Sequence, residues 1–413
     1  MEINLGDCSF ILICSALVLL MTPGLAFFYG GMVRRKNVLN TLMSSFFVCG
    51  LASIMWVLVG YSLSFGNDFH GIIGGLNFLG FNGVGAEPSA YAPTIPQELF
   101  AAFQMMFAII TPALITGALV ERMKFSALFI FVAIWSLLVY YPMAHMVWGA
   151  GGLISSLGAV DFAGGNVVHI SSGISGLVAC IMLGKRHGHG IMAYRPHNIP
   201  FVVLGVALLW FGWFGFNAGS ALGAGPLAVH AFMTTNTAAA AMLSWMLIEK
   251  VKHGKPTLLG AATGAVLGLV AITPGAGFVP LWSSIIIGMA VSPICFFFVE
   301  KVKAKFGYDD ALDAFGCHGI GGIWGGIATG IFGQTAINHV AQWNGLFYGD
   351  VKLFIAQMMS IVITIIFAGG MTFLIIKVMK MFMDIRVDSS EEADGLDVAE
   401  HGESAYPSFN GLD

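Results

Sequence analysis

Two histidines lie inside long apolar stretches, where an ionisable side chain is unusual. His169 occupies the segment Val-Val-His-Ile-Ser-Ser-Gly, and His318 occupies Phe-Gly-Cys-His-Gly-Ile-Gly-Gly. In a membrane, a charged side chain at such depth costs about 2.5 to 3.5 kcal/mol, so it usually faces a pathway or a partner. A lone histidine in an apolar helix is more often a hydrogen-bonded core residue. Two of them favour a common pathway.

An aspartate opens each of these two stretches. Asp161 precedes Phe-Ala-Gly-Gly at the start of the His169 stretch, and Asp313 stands at the start of the His318 stretch. Each carboxylate can cap the first turn of a helix. Asp161 could also attract a cation near the mouth of a pathway, so both interpretations remain open.

Aromatic residues cluster near the ends of several apolar stretches: Phe103, Phe107, Trp148, Trp213, Phe214 and Phe216. An interfacial aromatic belt is the ordinary explanation for such a cluster. Trp148, however, is followed by glycines at 149, 151 and 152, which leave its ring open to a ligand. A ring face attracts a desolvated small cation by about 2 kcal/mol.

Several other chemistries are not predicted. His187, His189 and His197 lack acidic or cysteine companions at the spacing of a metal site. The glycine-rich stretch 319–326 lacks the Lys-Ser/Thr of a phosphate loop and is typical of helix packing. With no nucleophile and base pattern, the chain is predicted to be neither an enzyme nor a holder of a metal or cofactor. Cys8 and Cys14 point in different directions on a helix, so no disulfide is expected.

The composition places most of the chain in lipid. Of 413 residues, 57% are apolar and only 10% are charged, against about a quarter charged in soluble domains. The mean hydropathy is +0.84. Small clusters of basic residues between apolar stretches also exclude a basic nucleic-acid face.

Eleven stretches have the roughly 20 apolar residues that a membrane span needs. Their approximate bounds are 8–31, 39–65, 98–120, 125–145, 162–184, 199–219, 229–249, 257–275, 279–299, 312–333 and 351–382.

Basic residues accumulate on the cytoplasmic side of membrane proteins. Here 17 of the 18 follow odd-numbered spans, and Lys352 is the exception. This alternation predicts an odd number of spans, an outside N-terminus and a cytoplasmic C-terminus. Residues 1–7 carry no positive charge, so we expect an uncleaved first span rather than a signal peptide.

The spacing of the two histidines suggests a repeated unit of five spans. An odd-numbered unit makes the second copy inverted, which is a common transporter plan. The pairs Thr111-Pro112 and Thr273-Pro274 also lie five spans apart, which gives weak support to such a repeat. The predicted bounds place His169 about 4 Å outside, and His318 about 6 Å inside, the middle of their spans. Contact between them is therefore not predictable from the sequence.

We expect a transmembrane domain at 1–383, with repeat one at about 8–184, repeat two at about 199–333 and helix eleven at about 351–382. Residues 384–413 hold nine acidic residues and one basic residue. This cytoplasmic tail is either a solvated flexible end or a regulatory docking segment.

The chain resembles the ammonium transporter family, the Amt, Mep and Rh proteins, and looks most like the bacterial and archaeal Amt branch. The resemblance runs from about Thr22 to Tyr406. Its most specific part is Asp161-Phe-Ala-Gly-Gly-Asn-Val-Val-His169, continuing to Gly184-Lys-Arg186. Three further segments, 145–149, 211–220 and 313–319, and the tail motifs at 395–398 and 401–403 add to it.

The resemblance implies an all-α polytopic homotrimer in which each subunit has eleven transmembrane helices around its own pore. It implies an outer ammonium site of Phe107, Trp148 and Ser220, with Phe103 close by. Phe107 and Phe216 would form a gate, and His169 and His318 would be paired in the pore. Asp161 would support deprotonation or the local structure.

The resemblance also implies that ammonium loses its proton before ammonia crosses the pore, because a bare ion is expensive in a dry apolar channel. The proton either stays outside or travels separately along the histidines. We expect a plasma-membrane location and, at the cytoplasmic face, a PII-type signalling protein. An ammonium sensor is the alternative; the intact histidines and the lack of an appended cytoplasmic domain favour transport. A gas channel of the Rh type is disfavoured by Trp148 and Ser220.

Overall fold

The computed structural model describes residues 2–406, and α-helix dominates them. Within that range, nine helices are long and apolar enough to cross a bilayer. They are α1 (Leu5–Met32), α2 (Arg35–Phe65), α3 (Gln97–Ala118), α4 (Phe125–Ser156), α5 (Gly165–Leu183), α6 (Ile199–Gly219), α7 (Pro226–His253), α9 (Leu281–Phe306) and α11 (Lys352–Phe382). Two shorter helices complete the series: α8 (Leu258–Ile272) and α10, which runs as Phe315–Ile320 and Gly321–Phe332.

A helix therefore lies in each of the eleven predicted stretches, although several boundaries differ. α8 ends at Ile272, and the chain turns at 273–279 instead of continuing as a helix to 275. Pro274 lies in this turn, and proline cannot donate the backbone hydrogen bond that a helix interior requires. α4 is helical to Trp148, beyond the expected end at 145, and is then interrupted at 149–152.

Close approach between helices depends on glycine. α5 crosses α10 where Gly173 lies against the backbone of Gly319, leaving no room for a β-carbon at residue 173. A β-carbon at Gly322 would lie 3.0 Å from the β-carbon of His169 and 3.2 Å from the backbone nitrogen of Ile170. Small residues let helix backbones approach in this way, so the two histidine-bearing helices meet near their N-terminal turns.

Both of these helices begin with a π-helical turn, Gly165–Ile170 in α5 and Phe315–Ile320 in α10. Each turn contains one of the histidines. π-Turns widen the helix locally and occur often at functional sites.

Two small hairpins lie between α2 and α3. β1 (Asp68–Phe69) pairs antiparallel with β2 (Ile73–Gly74), and β3 (Pro88–Ser89) pairs with β4 (Ala92–Pro96). They cover the end of the helix bundle that also carries Trp148.

The acidic tail packs against its own chain through two short helices, α12 (Ser389–Asp394) and α13 (Leu396–His401). Ile385, Val387 and Leu396 are buried. Of the two alternatives for the tail, the solvated flexible end is therefore wrong for 384–406, because these apolar side chains are buried against the rest of the chain. Residues 407–413 of the predicted tail lie outside the described part.

Candidate functional site

A cavity of about 410 Å³ opens at the end of the bundle that carries Trp148. Phe107, Trp148, Ser220 and the Asp161 segment contribute to its wall, and the sequence analysis singled out all four. Tyr91, Phe162, Phe278 and Val340 also line it and were not anticipated. They come from loops and helix ends far apart in the chain, so no local pattern marked them.

Trp148 and Phe107 form an aromatic corner at the floor of this cavity. Their ring centroids are 5.9 Å apart at an interplanar angle of 83°. Trp148 Nε1 donates to the carbonyl oxygen of Asp161 at 2.9 Å, which fixes the orientation of the indole. Such an arrangement presents a ring face and a ring edge to a small cation.

Ser220 places a hydroxyl beside this corner. Its Oγ donates to the carbonyl oxygen of Phe216 at 2.8 Å. Because the proton is used in that bond, the lone pairs of the oxygen remain to accept from a ligand in the cavity.

Phe103 is buried behind Phe107, with ring centroids 5.1 Å apart, and is not among the residues that line the cavity. It supports the Phe107 ring from behind. Phe103 therefore lies close to the outer cavity without lining it.

Below the cavity, Phe107 and Phe216 lie against each other with centroids 4.4 Å apart and planes tilted by 40°. Both rings are about 1% exposed. They separate the outer cavity from a narrow inner one of about 10 Å³, which has room for about one water molecule.

His169 and His318 meet at the inner cavity. Their ring centroids are 5.3 Å apart, and the two Nδ1 atoms are 3.3 Å apart. One Nδ1 must therefore carry the proton and the other must accept it. Nε2 of His169 is buried without a hydrogen-bond partner among the described residues.

The rest of the inner cavity is apolar. Its wall includes Met21, Leu25, Ile110, Leu114, Trp213 and Val266. A charge at this point has only the imidazoles to replace water, whereas a neutral polar molecule loses much less on entry.

Asp161 connects the outer and inner parts. Its Oδ1 accepts from the backbone N–H groups of Gly164 and Gly165 at 2.8 and 2.6 Å, and its Oδ2 accepts from Asn166 at 2.7 Å. The carboxylate thus caps the first turn of α5, and the carbonyl of the same residue holds Trp148.

The cap of α10 is Asp310, and the expectation that Asp313 plays this part is wrong. Asp310 Oδ1 and Oδ2 accept from the N–H groups of Ala314 and Phe315 at 3.0 and 2.8 Å, and burial raises the pKa of its carboxyl. Asp313 instead accepts from Lys303 at 2.6 Å.

A signal for Asp310 was present in the sequence. It precedes His318 by eight residues, just as Asp161 precedes His169 by eight.

The aromatic-belt explanation fails for most of the cluster. Phe103, Phe107, Trp213 and Phe216 are buried inside the protein. Phe214 is partly exposed and stacks on Phe232 with centroids 4.2 Å apart, so it fits a peripheral position, whereas the partly exposed Trp148 lines the outer cavity.

The chain is similar to known proteins along nearly its whole length. A family model described as Ammonium Transporter Family matches residues 9–406. The chain is 55% identical to the ammonium transporter of Bacillus subtilis over 406 residues, which covers 98% of this chain and 99% of the relative.

Solved structures give the same grouping. The crystal structure of Saccharomyces cerevisiae Mep2 has a TM-score of 0.91 and 36% identity, covering 99% of this chain and 93% of that one. A structure titled Sensor Amt Protein has a TM-score of 0.87 and 27% identity, covering 96% and 98% of the two chains.

Proposed function

The chain belongs to the Ammonium Transporter Family, and on that premise we propose that it transports ammonium across a plasma membrane. Ammonium is recruited in the outer cavity, where Phe107 and Trp148 supply cation–π contacts and Ser220 accepts one N–H bond. These contacts replace part of the ion's hydration shell.

The observation that carries this proposal is a continuous column of rings. It runs from Trp148 to Phe107, Phe216, His169 and His318, with successive centroid distances of 5.9, 4.4, 6.1 and 5.3 Å. The column joins the outer cavity to the histidine pair without a charged side chain along it. Phe107 and Phe216 act as the gate in this scheme.

Ammonium releases its proton to water in the outer cavity before it passes the gate, and neutral ammonia enters the inner cavity, while the proton either stays outside or moves separately. The imidazoles of His169 and His318 offer nitrogen atoms to ammonia and a route for a separately moving proton. Potassium, similar in size, cannot release a proton and is refused. Asp161 supports the step by holding Trp148 and the start of α5.

For the whole chain we propose eleven spans in two inverted five-helix repeats and a last helix, an outside N-terminus and a cytoplasmic C-terminus. The loops after α1, α3, α5 and α9 meet one another and the tail at one end of the molecule. This supports placing the ends of the odd-numbered helices and the C-terminus on the same side of the membrane. A homotrimer and a PII-type partner at the cytoplasmic face are proposed from the family alone.

The test is the current evoked by an ammonium pulse on a solid-supported membrane. We expect a saturating current for the wild type, none with sodium or potassium, a raised apparent KM for Trp148→Leu and a changed current for His169→Ala. Ammonia uptake without current, followed with an internal pH dye, would instead indicate a neutral gas pathway.

A sensor is the second candidate, since one structural neighbour carries that title. Absence of both current and uptake, with ammonium still binding to purified protein, would favour sensing over transport.

A further inference from the structure

His145 is buried with 0% exposure, three residues before Trp148 in the last turn of α4 before its interruption at 149–152. Its Nδ1 is 3.0 Å from the carbonyl oxygen of Ser64, and its Nε2 is 2.9 Å from Asp68 Oδ1. Both ring nitrogens of His145 therefore lie within hydrogen-bonding distance of an oxygen atom, and these two contacts fix the ring on both sides.

Asp68 also contacts the backbone of the turn between β1 and β2. The same Oδ1 accepts from the backbone N–H of Gly71 at 2.7 Å, and the carbonyl of Gly71 accepts from Leu153 N at 2.8 Å. The hydrogen bond from His145 lowers the pKa of Asp68, which keeps the carboxylate ionised. One carboxylate oxygen thus joins His145 to the β1–β2 turn, and this turn holds Leu153 at the end of the segment 149–153.

The segment 149–153 is wrapped closely around His145. Gly149 N donates to the His145 carbonyl at 2.9 Å, and a β-carbon at Gly149 would lie 2.5 Å from His145 Nδ1. A β-carbon at Gly151 would lie 3.1 Å from Asp68. Ala150 N donates to the hydroxyl of Tyr91 at 2.9 Å. Trp148 is therefore held on its C-terminal side by a segment whose shape depends on the His145–Asp68 pair.

We propose that His145 and Asp68 are positioning residues for Trp148, and that this hydrogen-bonded pair sets the affinity of the outer site for ammonium. The proposal rests on the function proposed above. Neither residue lines the outer cavity, so their effect passes through the indole ring. The carbonyl of Asp161 fixes that ring on its other side.

Asp68→Asn is the informative substitution because Asp68 is 36% exposed and His145 is not. Asparagine keeps the size of the side chain but removes the negative charge that Nε2 of His145 and the N–H of Gly71 contact. We expect the apparent KM for ammonium current to rise about 3- to 10-fold, with the maximal current changed by less than about 2-fold.

A double substitution separates positioning from a general structural effect. In a Trp148→Leu background, Asp68→Asn should raise the apparent KM no further, since the ring through which it acts is gone. Glu87→Gln removes another carboxylate near the hairpins, at an exposed position, and should leave the KM unchanged. An unchanged KM in Asp68→Asn, or an undiminished effect in the Trp148→Leu background, overturns the proposal.

A spectroscopic readout keeps this inference distinct from the transport proposal. Protein labelled with fluorotryptophan gives a ¹⁹F signal for Trp148 that Trp148→Leu assigns by its loss. Asp68→Asn should shift or broaden that signal, and a signal identical to the wild type overturns the positioning role. A shifted signal in a protein that carries no ammonium current would leave positioning supported while transport fails.

Discussion

The Ser220 hydroxyl donates a hydrogen bond to the carbonyl oxygen of Phe216, and this bond determines which kind of ligand the Ser220 oxygen can bind. An oxygen that already donates presents only lone pairs to the cavity, so it favours a ligand that donates N–H bonds. Hydrogen bonds to charged groups contribute about 1.5 to 3 kcal/mol.

Ser220→Ala should therefore raise the apparent KM for ammonium about 10-fold, with a smaller effect on the maximal current. The measurement is the concentration dependence of the current evoked by ammonium.

Ser9→Ala is the matched control for Ser220→Ala. Ser9 makes the same type of hydroxyl bond to the carbonyl four residues earlier, but at an exposed position in the second turn of α1. Equal changes in both variants would argue against a ligand-accepting role for Ser220.

At the scale of elements, the histidine pair depends on how closely α5 and α10 cross. Gly173 and Gly319 are in backbone contact there. A larger residue at either position must push the helices apart, and the 3.3 Å separation of the two Nδ1 atoms would lengthen with them.

Gly173→Ala should therefore destabilise the protein by about 1 to 3 kcal/mol through overpacking and reduce ammonium current. The measurements are the midpoint of thermal unfolding in detergent and the current itself.

Gly370→Ala tests the same substitution where it meets open space. Gly370 lies in α11 with nothing within 4 Å of an added β-carbon. A helical glycine replaced by alanine in open space should be neutral or slightly stabilising, and a similar loss in both variants would contradict the crossing argument.

The end of the molecule opposite Trp148 is held by a buried ionic network that joins loops from both halves of the chain. Arg186 contacts Glu121 at 2.9 Å and Asp309 at 2.8 Å, and Arg34 contacts Glu121 at 3.0 Å. Both carboxylates are fully buried. Burial by itself raises the pKa of Asp309, but the hydrogen bond and charge of Arg186 overcome this and hold the pKa well below its ordinary range.

Arg186→Ala should cost about 3 to 5 kcal/mol, because it removes the arginine partner of the buried Asp309 and leaves the buried Glu121 with Arg34 as its one remaining arginine partner. The folded pKa of Asp309 lies below the unfolded one, so this stabilisation is present above about pH 4 and is lost as the pH falls through the folded pKa. Thermal unfolding midpoints of wild type and Arg186→Ala should therefore converge on acidification.

Lys301→Ala is the control at the whole-molecule scale, since Lys301 is exposed at the same end of the molecule. It should change the free energy of unfolding by less than about 0.5 kcal/mol. A gap between wild type and Arg186→Ala that stays constant with pH would contradict the role given to Asp309.

Properties that depend on local composition could be read from the chain itself. Apolar length marks a membrane helix wherever it occurs, so a helix was expected in each of eleven stretches. The unusual polarity of His169 and His318 was visible for the same reason, and so was the glycine-rich setting of Trp148.

Other properties depended on which faces of distant segments meet. Contact of His169 with His318, burial of Phe103 behind Phe107, capping by Asp310 and packing of 384–406 all arise from helix crossings and backbone geometry. A shift of one residue rotates a side chain by about 100° around a helix, and boundaries read from hydropathy are uncertain by several residues. Those contacts were decided by packing between segments that are distant in the chain, and local sequence does not specify which residues meet there.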